Sequence, residues 1–132
     1  MIQEPIWITE EAAYAIHKRQ LELHGGLDGI REPGLLSSAL ARPLHIFAFS
    51  QANTDIAALA SAYAFGIAQN HPFIDGIKRT AAVVCESFIR LNGYVLVAQD
   101  DPMFETFRNL AAGNVTEYEL VQWLRDHLQP VS

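Results

Sequence analysis

The feature that most restricts the fold of this chain is a long, mainly apolar run over residues 56–68. Alanine recurs through the run between large apolar residues, a composition that favours an α-helix. Apolar side chains surround nearly the whole circumference of that helix, and Thr54 and Asp55 precede it as capping residues. Because no side of such a helix is polar enough to face solvent, the run predicts a central helix that other elements cover.

The segment before this run begins with a clear helix signal. Thr9 is a capping residue, acidic residues fill the first turn after it, and a pair of glycines starting at Gly25 ends a helix over residues 10–24. The side chains predicted for its inner face are Ala12, Ala13, Ile16 and Leu23.

Three further segments lead to the apolar run. Residues 25–34 hold four glycines and a proline, which predicts a shaped loop. A short helix is predicted over residues 35–41, and Pro43 is expected to end it. The weak alternation of residues 44–53 fits either an extended flap or an irregular connector between helices.

The segments after the run are also mainly helical. A second apolar helix is predicted over residues 77–92, then a short β-like stretch at residues 94–97, a helix start at Asp101-Pro102 and a last helix that begins at the capping box of residues 116–119. The sequence therefore predicts an all-α fold, a compact bundle of about six helices with a possible short flap, in a single domain over residues 1–132.

The net charge, the cysteine count and the lengths of the apolar runs disfavour several classes of protein. The net charge is −6 and the sequence has no basic run, which disfavours a protein that binds nucleic acid through many phosphates. Cys85 is the only cysteine, so an internal disulfide is excluded and a reducing compartment is indicated. The N-terminus lacks a charged start and an apolar stretch, and no apolar run approaches the roughly 20 residues that span a bilayer. We expect an unexported cytoplasmic protein with no membrane partner.

A polar turn joins the two most apolar helices at residues 71–79 and reads His-Pro-Phe-Ile-Asp-Gly-Ile-Lys-Arg. Its glycine lets the backbone approach a ligand, and the next helix presents free N–H groups and a partial positive charge. Lys78 and Arg79 oppose the helix dipole there unless an anion lies between them, so phosphate is the ligand we expect. Asp75 suits a Mg²⁺ ion that bridges phosphate oxygens, and His71 suits proton transfer from an attacking hydroxyl.

This turn resembles the signature of the Fic/Doc (death-on-curing) family, His-Pro-Phe-x-Asp/Glu-Gly-Asn-Gly/Lys-Arg. Seven of its eight specified positions match. Residues 25–43 are similar to the N-terminal half of Doc-type proteins, and residues 63–68 and 91–94 are similar to their flanks of the motif. The resemblance covers nearly the whole chain and implies the helical Fic fold.

The resemblance also implies a role for each matching position. His71 would be the general base, Asp75 the Mg²⁺ ligand and Phe73 a buried anchor of the loop. The phosphates of the nucleotide would be contacted by Gly76, Ile77, Lys78 and Arg79.

Two departures from the AMP-transferring branch resemble Doc. Lys78 replaces the second glycine of that branch, and Ala82 stands where it commonly has another arginine. The resemblance implies a Doc-type toxin of a toxin-antitoxin system, with ATP and Mg²⁺ as cofactors. The γ-phosphate would go to a hydroxyl of a translation protein, with elongation factor Tu as the family target, and a Phd-type antitoxin would be the partner.

Ile77 departs from the signature, which has asparagine at this position. An isoleucine side chain neither donates nor accepts a hydrogen bond, and its branched shape would push against a phosphate cradle. We hypothesise that Ile77 impairs activity. The alternatives are a Fic-type AMP transferase and a catalytically silent Fic-fold binding module, which the isoleucine favours.

Some of these residues also fit roles other than phosphate binding. Asp75 alone would fit a simple helix cap, and a transition-metal site would need more ligands than His71 and Asp75. Cys85 lies on an apolar helix face and is predicted to pack there. Four histidines without a functional context are predicted to be surface or structural residues: His17, His24, His45 and His127.

Overall fold

The computed structural model describes residues 2–97, 106, 109 and 113–131, and these form a mainly helical fold. In chain order the elements are helix α1 (Glu10–His24), helix α2 (Pro33–Phe49), helix α3 (Ile56–Asn70), helix α4 (Ile77–Leu91), strand β1 (Tyr94–Leu96), helix α5 (Glu117–His127) and strand β2 (Leu128–Pro130). The all-α prediction is confirmed, with one short sheet added. The helix start predicted at Asp101-Pro102 lies outside the described residues.

Helix α3 lies at the centre of the fold, as its apolar run predicts. It packs against α2, α4 and α5, and most of its side chains are buried. Asp55 caps the helix by accepting a hydrogen bond from the backbone N–H of Ala58 at 2.9 Å, and the same carboxylate pairs with Arg125 of α5 at 2.9 Å. The C-terminal end of this well-anchored helix leads directly into the polar turn.

Helix α2 is longer than predicted. Pro43 was expected to end the helix, but it lies buried inside it, and residues 44–49 continue the helix in place of the expected flap or connector. Proline has no N–H for the carbonyl of Ala39. That carbonyl lies against Gly66 of α3, where an added Cβ would be 3.2 Å from the Ala39 oxygen. Close packing of α2 on α3 therefore offsets the lost hydrogen bond.

Helix α1 is confirmed in length, and its inner face is partly different from the prediction. The Thr9 hydroxyl caps it by accepting from the N–H of Ala12 at 3.1 Å. The buried residues are Ala13, His17 and Gln20, whereas Leu23 is 55% exposed. Two polar side chains thus occupy the face that packs towards α4.

The C-terminal elements close the other side of the bundle. The capping box is confirmed, since the Thr116 hydroxyl accepts from the N–H of Glu119 and the Glu119 carboxylate accepts from the N–H of Thr116, both at 3.1 Å. Strand β1 pairs antiparallel with β2, a partner strand that was not predicted, with Leu96 opposite Leu128. None of the helices in the described ranges has the length and apolarity needed to cross a bilayer.

Candidate functional site

The polar turn begins where α3 ends. His71 has left-handed backbone angles (φ 48°, ψ 58°), and its N–H donates to the carbonyl of Ile67 at 3.1 Å. The right-handed helical conformation is disfavoured for a residue that precedes proline, so Pro72 helps to end the helix at this point. His71 is exposed at the resulting corner, with its imidazole outside the core.

The glycine-rich loop between α1 and α2 runs beside the turn and pairs with it. The N–H of Arg31 donates to the carbonyl of Pro72 at 2.9 Å, and the N–H of Ile74 donates to the carbonyl of Gly29 at 3.1 Å. Gly29 has φ 146°, and a Cβ there would lie 2.6 Å from Cδ1 of Ile74. The positive φ favours glycine at this position, because other residues rarely adopt it, and the two backbone hydrogen bonds tie the loop to the turn.

Phe73 anchors the turn in the core. Its side chain has no exposed surface and stacks on the imidazole of His17, with ring centroids 3.8 Å apart and planes 6° apart. This contact joins the turn to α1, and the buried position agrees with the anchor expected of Phe73.

Asp75 is held by two hydrogen bonds from the first part of the chain. Its carbonyl oxygen accepts from Nε2 of His17 at 2.8 Å, and its carboxylate Oδ2 accepts from the N–H of Leu27 at 3.0 Å. The residue is exposed, and its Oδ1 has no donor among the residues that the structure describes. A carboxylate oxygen without a donor is the type of ligand that Mg²⁺ takes, so the chemistry of Asp75 fits the metal expected beside a phosphate.

The turn ends at Gly76, which begins α4 with left-handed backbone angles (φ 74°, ψ 19°). No side chain caps this end of the helix, and its first turn holds no acidic residue. The leading N–H groups of a helix have no partner within the helix and carry a partial positive charge. This end of α4 can therefore accept an anion.

Lys78 and Arg79 add two cations to the same turn of helix. Both are exposed, and neither forms an ion pair with any residue in the described ranges. Two unpaired cations beside uncapped N–H groups repel each other and the helix dipole, and a bound phosphate would remove that repulsion.

Ile77 occupies the first position of α4. Its side chain is partly buried and packs against the hydrophobic core. The isoleucine therefore stabilises the start of the helix through apolar contact, while the hydrogen bonds that an asparagine offers are missing.

The predicted site residues all belong to a single turn and the helix start that follows it. Four of them have exposed side chains, whereas Gly76 and Ile77 are partly buried: the exposed residues are His71, Asp75, Lys78 and Arg79. Sequence reasoning missed the contribution of His17, which was grouped with surface or structural histidines. Its position four residues after Ala13 is compatible with the inner side of α1, but no sequence feature indicates its hydrogen-bond partner, which is 58 residues away.

Outside the turn, the structure offers one further polar cleft and no evident metal centre among the described residues. Within the described ranges, no cluster of three His, Cys, Asp or Glu side chains is arranged to hold a metal ion. A shallow polar cleft lies near the start of α3, at the opposite end of this helix from the turn. It is lined by Asn53, Thr54, Asp55, Ala58 and Arg125. Asp55 and Arg125 neutralise each other there, so the cleft has a weaker charge than the turn.

Comparison of the sequence with known proteins finds relatives that are named as Doc proteins. The chain is 28% identical over 118 residues to "Protein kinase doc" of Escherichia phage P1, an alignment that covers 89% of this chain and 92% of that protein. It is 36% identical over 77 residues to "Toxin Doc" of Mycolicibacterium smegmatis, which covers 58% of this chain and 59% of that one.

The family comparison agrees with both relatives. The sequence profile described as "Fic/DOC family" matches residues 7–89, a range that runs from α1 almost to the end of α4. It includes the glycine-rich loop, the polar turn and the central helix. The chain therefore belongs to the Fic/DOC family.

Proposed function

We propose that this chain is a Doc-like toxin that transfers the γ-phosphate of ATP to a hydroxyl of a translation protein, with elongation factor Tu as the first candidate. The observation that carries the proposal is the uncapped start of α4, where Lys78 and Arg79 are exposed and unpaired. The relative named a protein kinase supports phosphate transfer, and its alignment spans 92% of its length.

In the proposed reaction His71 is the general base. Its imidazole takes the proton of the target hydroxyl as the hydroxyl oxygen bonds to the γ-phosphorus. The bond from the γ-phosphorus to the bridging oxygen breaks, and ADP leaves with the electron pair. The exposed corner position of His71 supports this role, because a protein hydroxyl can reach an imidazole that lies outside the core.

The phosphates would be bound by the N–H groups at the start of α4, from Gly76 onwards, and by the side chains of Lys78 and Arg79. Asp75 would hold Mg²⁺ through its free Oδ1. When bound, Mg²⁺ would neutralise charge on the phosphate oxygens. The two hydrogen bonds that fix Asp75 support this part of the proposal, because an oriented carboxylate needs no rearrangement to bind the ion.

A Doc-like toxin needs control by a second protein, and we propose an antitoxin of the Phd type. The relative named a toxin supports this partner. The proposal assigns the protein to the cytoplasm, because its proposed target and ATP are found there. The single buried cysteine is compatible with that compartment.

The direct test is a transfer assay with purified elongation factor Tu and Ile77→Asn protein, run once with γ-labelled and once with α-labelled ATP. We expect the γ-label on the target and no α-label. His71→Ala in the same background is the matched control and should abolish transfer, while leaving the thermal midpoint unchanged because His71 is exposed.

The other outcomes separate the alternatives. Transfer of the α-label would identify an AMP transferase, which the His71-Pro72-Phe73 segment also allows. Absence of both labels with Ile77→Asn, together with unchanged growth when either form is induced in a host without the antitoxin, would contradict the enzymatic proposal and favour a silent binding module.

A further inference from the structure

His17 is an unusual residue for the core of a small protein. Its imidazole has no exposed surface, and its Nδ1 is buried without a hydrogen-bond partner in the part of the chain that the structure describes. A buried polar nitrogen without a partner is costly, so an apolar ring would suit this position better if it served packing alone. The other ring nitrogen makes a contact that an apolar ring lacks.

That contact fixes the proton on the ring. Nε2 lies 2.8 Å from the carbonyl oxygen of Asp75, and a carbonyl only accepts hydrogen bonds, so Nε2 carries the proton and donates. The donor and acceptor are 58 residues apart in the sequence. Helix α1 therefore holds the backbone of the turn at the peptide that joins Asp75 to Gly76.

The orientation of this peptide sets the direction of one N–H in the candidate phosphate site. In a trans peptide the carbonyl and the following N–H point in opposite directions, and none of the described peptide bonds is cis. Because the carbonyl of Asp75 points inwards to the buried His17, the N–H of Gly76 points outwards. It has no acceptor among the described residues.

Two neighbouring contacts keep the peptide in this orientation. The carboxylate of Asp75 accepts from the N–H of Leu27, so the residue is held on a second side. The Cα of Gly76 lies close to the same imidazole, since an added Cβ would be 3.6 Å from Cδ2 of His17. Phe73 stacks on the ring and limits its rotation.

We propose that His17 is a positioning residue of the phosphate site: its Nε2–H holds the Asp75 carbonyl inwards, so that the Gly76 N–H faces the bound phosphate. The inference rests on the proposed function only in its choice of ligand. Loss of the donor frees the peptide to turn over, which would present a carbonyl oxygen to the phosphate and repel it.

Two variants separate this role from packing. His17→Phe keeps an aromatic ring against Phe73 and removes the donor. His17→Gln loses the ring but can place an amide N–H near the position of Nε2. The probe is inorganic phosphate, titrated into the ¹⁵N-labelled 132-residue chain while the amide signal of Gly76 is followed, with the thermal midpoint measured for each variant.

We expect His17→Phe to stay folded and to bind phosphate roughly ten- to hundredfold more weakly, the effect of losing one hydrogen bond to a charged group. His17→Gln should bind within about threefold of the parent, on the scale of an imperfectly placed neutral hydrogen bond. In the unmodified chain the Gly76 amide should exchange rapidly with solvent and become protected when phosphate is added.

Unchanged phosphate affinity in a folded His17→Phe protein would overturn the inference. So would a Gly76 amide that is already protected in the unmodified protein without phosphate, a measurement that needs no variant to fold. The proposed enzyme activity fails separately: if no label is transferred while phosphate binding still depends on His17, the positioning role holds and the kinase proposal does not.

Discussion

Replacing Ile77 with asparagine should raise activity and lower stability at the same time. The side chain of Ile77 is partly buried against the core, and full burial of an isoleucine is worth about 1.5–3 kcal/mol. Loss of roughly half of that burial should lower the free energy of unfolding by about 1 kcal/mol. For a domain of this size the thermal midpoint should fall by about 4 °C.

The gain in activity follows from the hydrogen bonds that asparagine restores beside the phosphates. A hydrogen bond to a charged group is worth about 1.5–3 kcal/mol, and each 1.36 kcal/mol in the transition state is tenfold in rate. We therefore expect kcat/KM for transfer from ATP to rise roughly ten- to hundredfold. The assay is initial-rate transfer of γ-label to a fixed amount of elongation factor Tu.

Ile77→Ala is the matched control for this prediction. It removes the branched side chain and its packing without adding an amide, so its stability should also fall while its rate stays low. Equal rate gains for alanine and asparagine would show that the branched isoleucine side chain lowers the rate by steric conflict with the bound phosphates. A stable Ile77→Asn protein with no increase in rate would refute the reasoning that this position needs a hydrogen-bonding side chain.

Three predictions concern the core. Gly66→Ala should lower the free energy of unfolding by about 1 kcal/mol in urea titrations. The new Cβ would crowd the Ala39 backbone, and the cost of that crowding should exceed the gain in helix propensity. Equal or higher stability would contradict this packing. Burial raises the pKa of Tyr63 from 10.0 to about 12, so its contribution to stability should be complete below about pH 10 and fall as the pH rises towards 12. Tyr63→Phe should lack that alkaline loss but be about 1–3 kcal/mol less stable at pH 7, because the N–H of Ile8 loses its acceptor; an unchanged alkaline slope would assign the loss to another group. Burial also raises the pKa of the Cys85 thiol, so a thiol reagent should label it only at the rate of global unfolding, and rapid labelling of the folded protein would be the contrary result.

Local signals were sufficient for most of the helical framework. The apolar run of α3, the capping residues Thr9 and Asp55 and the capping box at Thr116 act over a few residues, and each has the predicted partner in the structure. The same holds for the start of α4, because glycine and the residues after it determine that end locally.

Features that depend on contacts between distant segments were not predictable in this way. Pro43 breaks an isolated helix, but close packing against Gly66 keeps α2 continuous through it. The inner face of α1 holds His17 and Gln20 in place of Leu23. The partner of His17 is the backbone carbonyl of Asp75, and the apolar periodicity of α1 carries no information about where that carbonyl lies. The pairing of β1 with β2 depends on where α5 ends.

In the candidate site, too, the residues were predictable from the sequence and the contacts from distant segments were not. His71, Asp75 and Gly76 were identifiable because the chemistry of the turn is contiguous in the sequence. The hydrogen bonds that orient the turn come from α1 and from the glycine-rich loop, and they became apparent only with the fold.

The most direct test of the proposed phosphate site is a titration of ¹⁵N-labelled protein with ATP and Mg²⁺, for the chain as it stands and for Ile77→Asn. The largest amide shifts should map to residues 76–79, should saturate at lower ATP for Ile77→Asn, and should disappear when Lys78 and Arg79 are both replaced by alanine. Shifts confined to the cleft between Asp55 and Arg125, or no shifts in either protein, would contradict nucleotide binding at the start of α4.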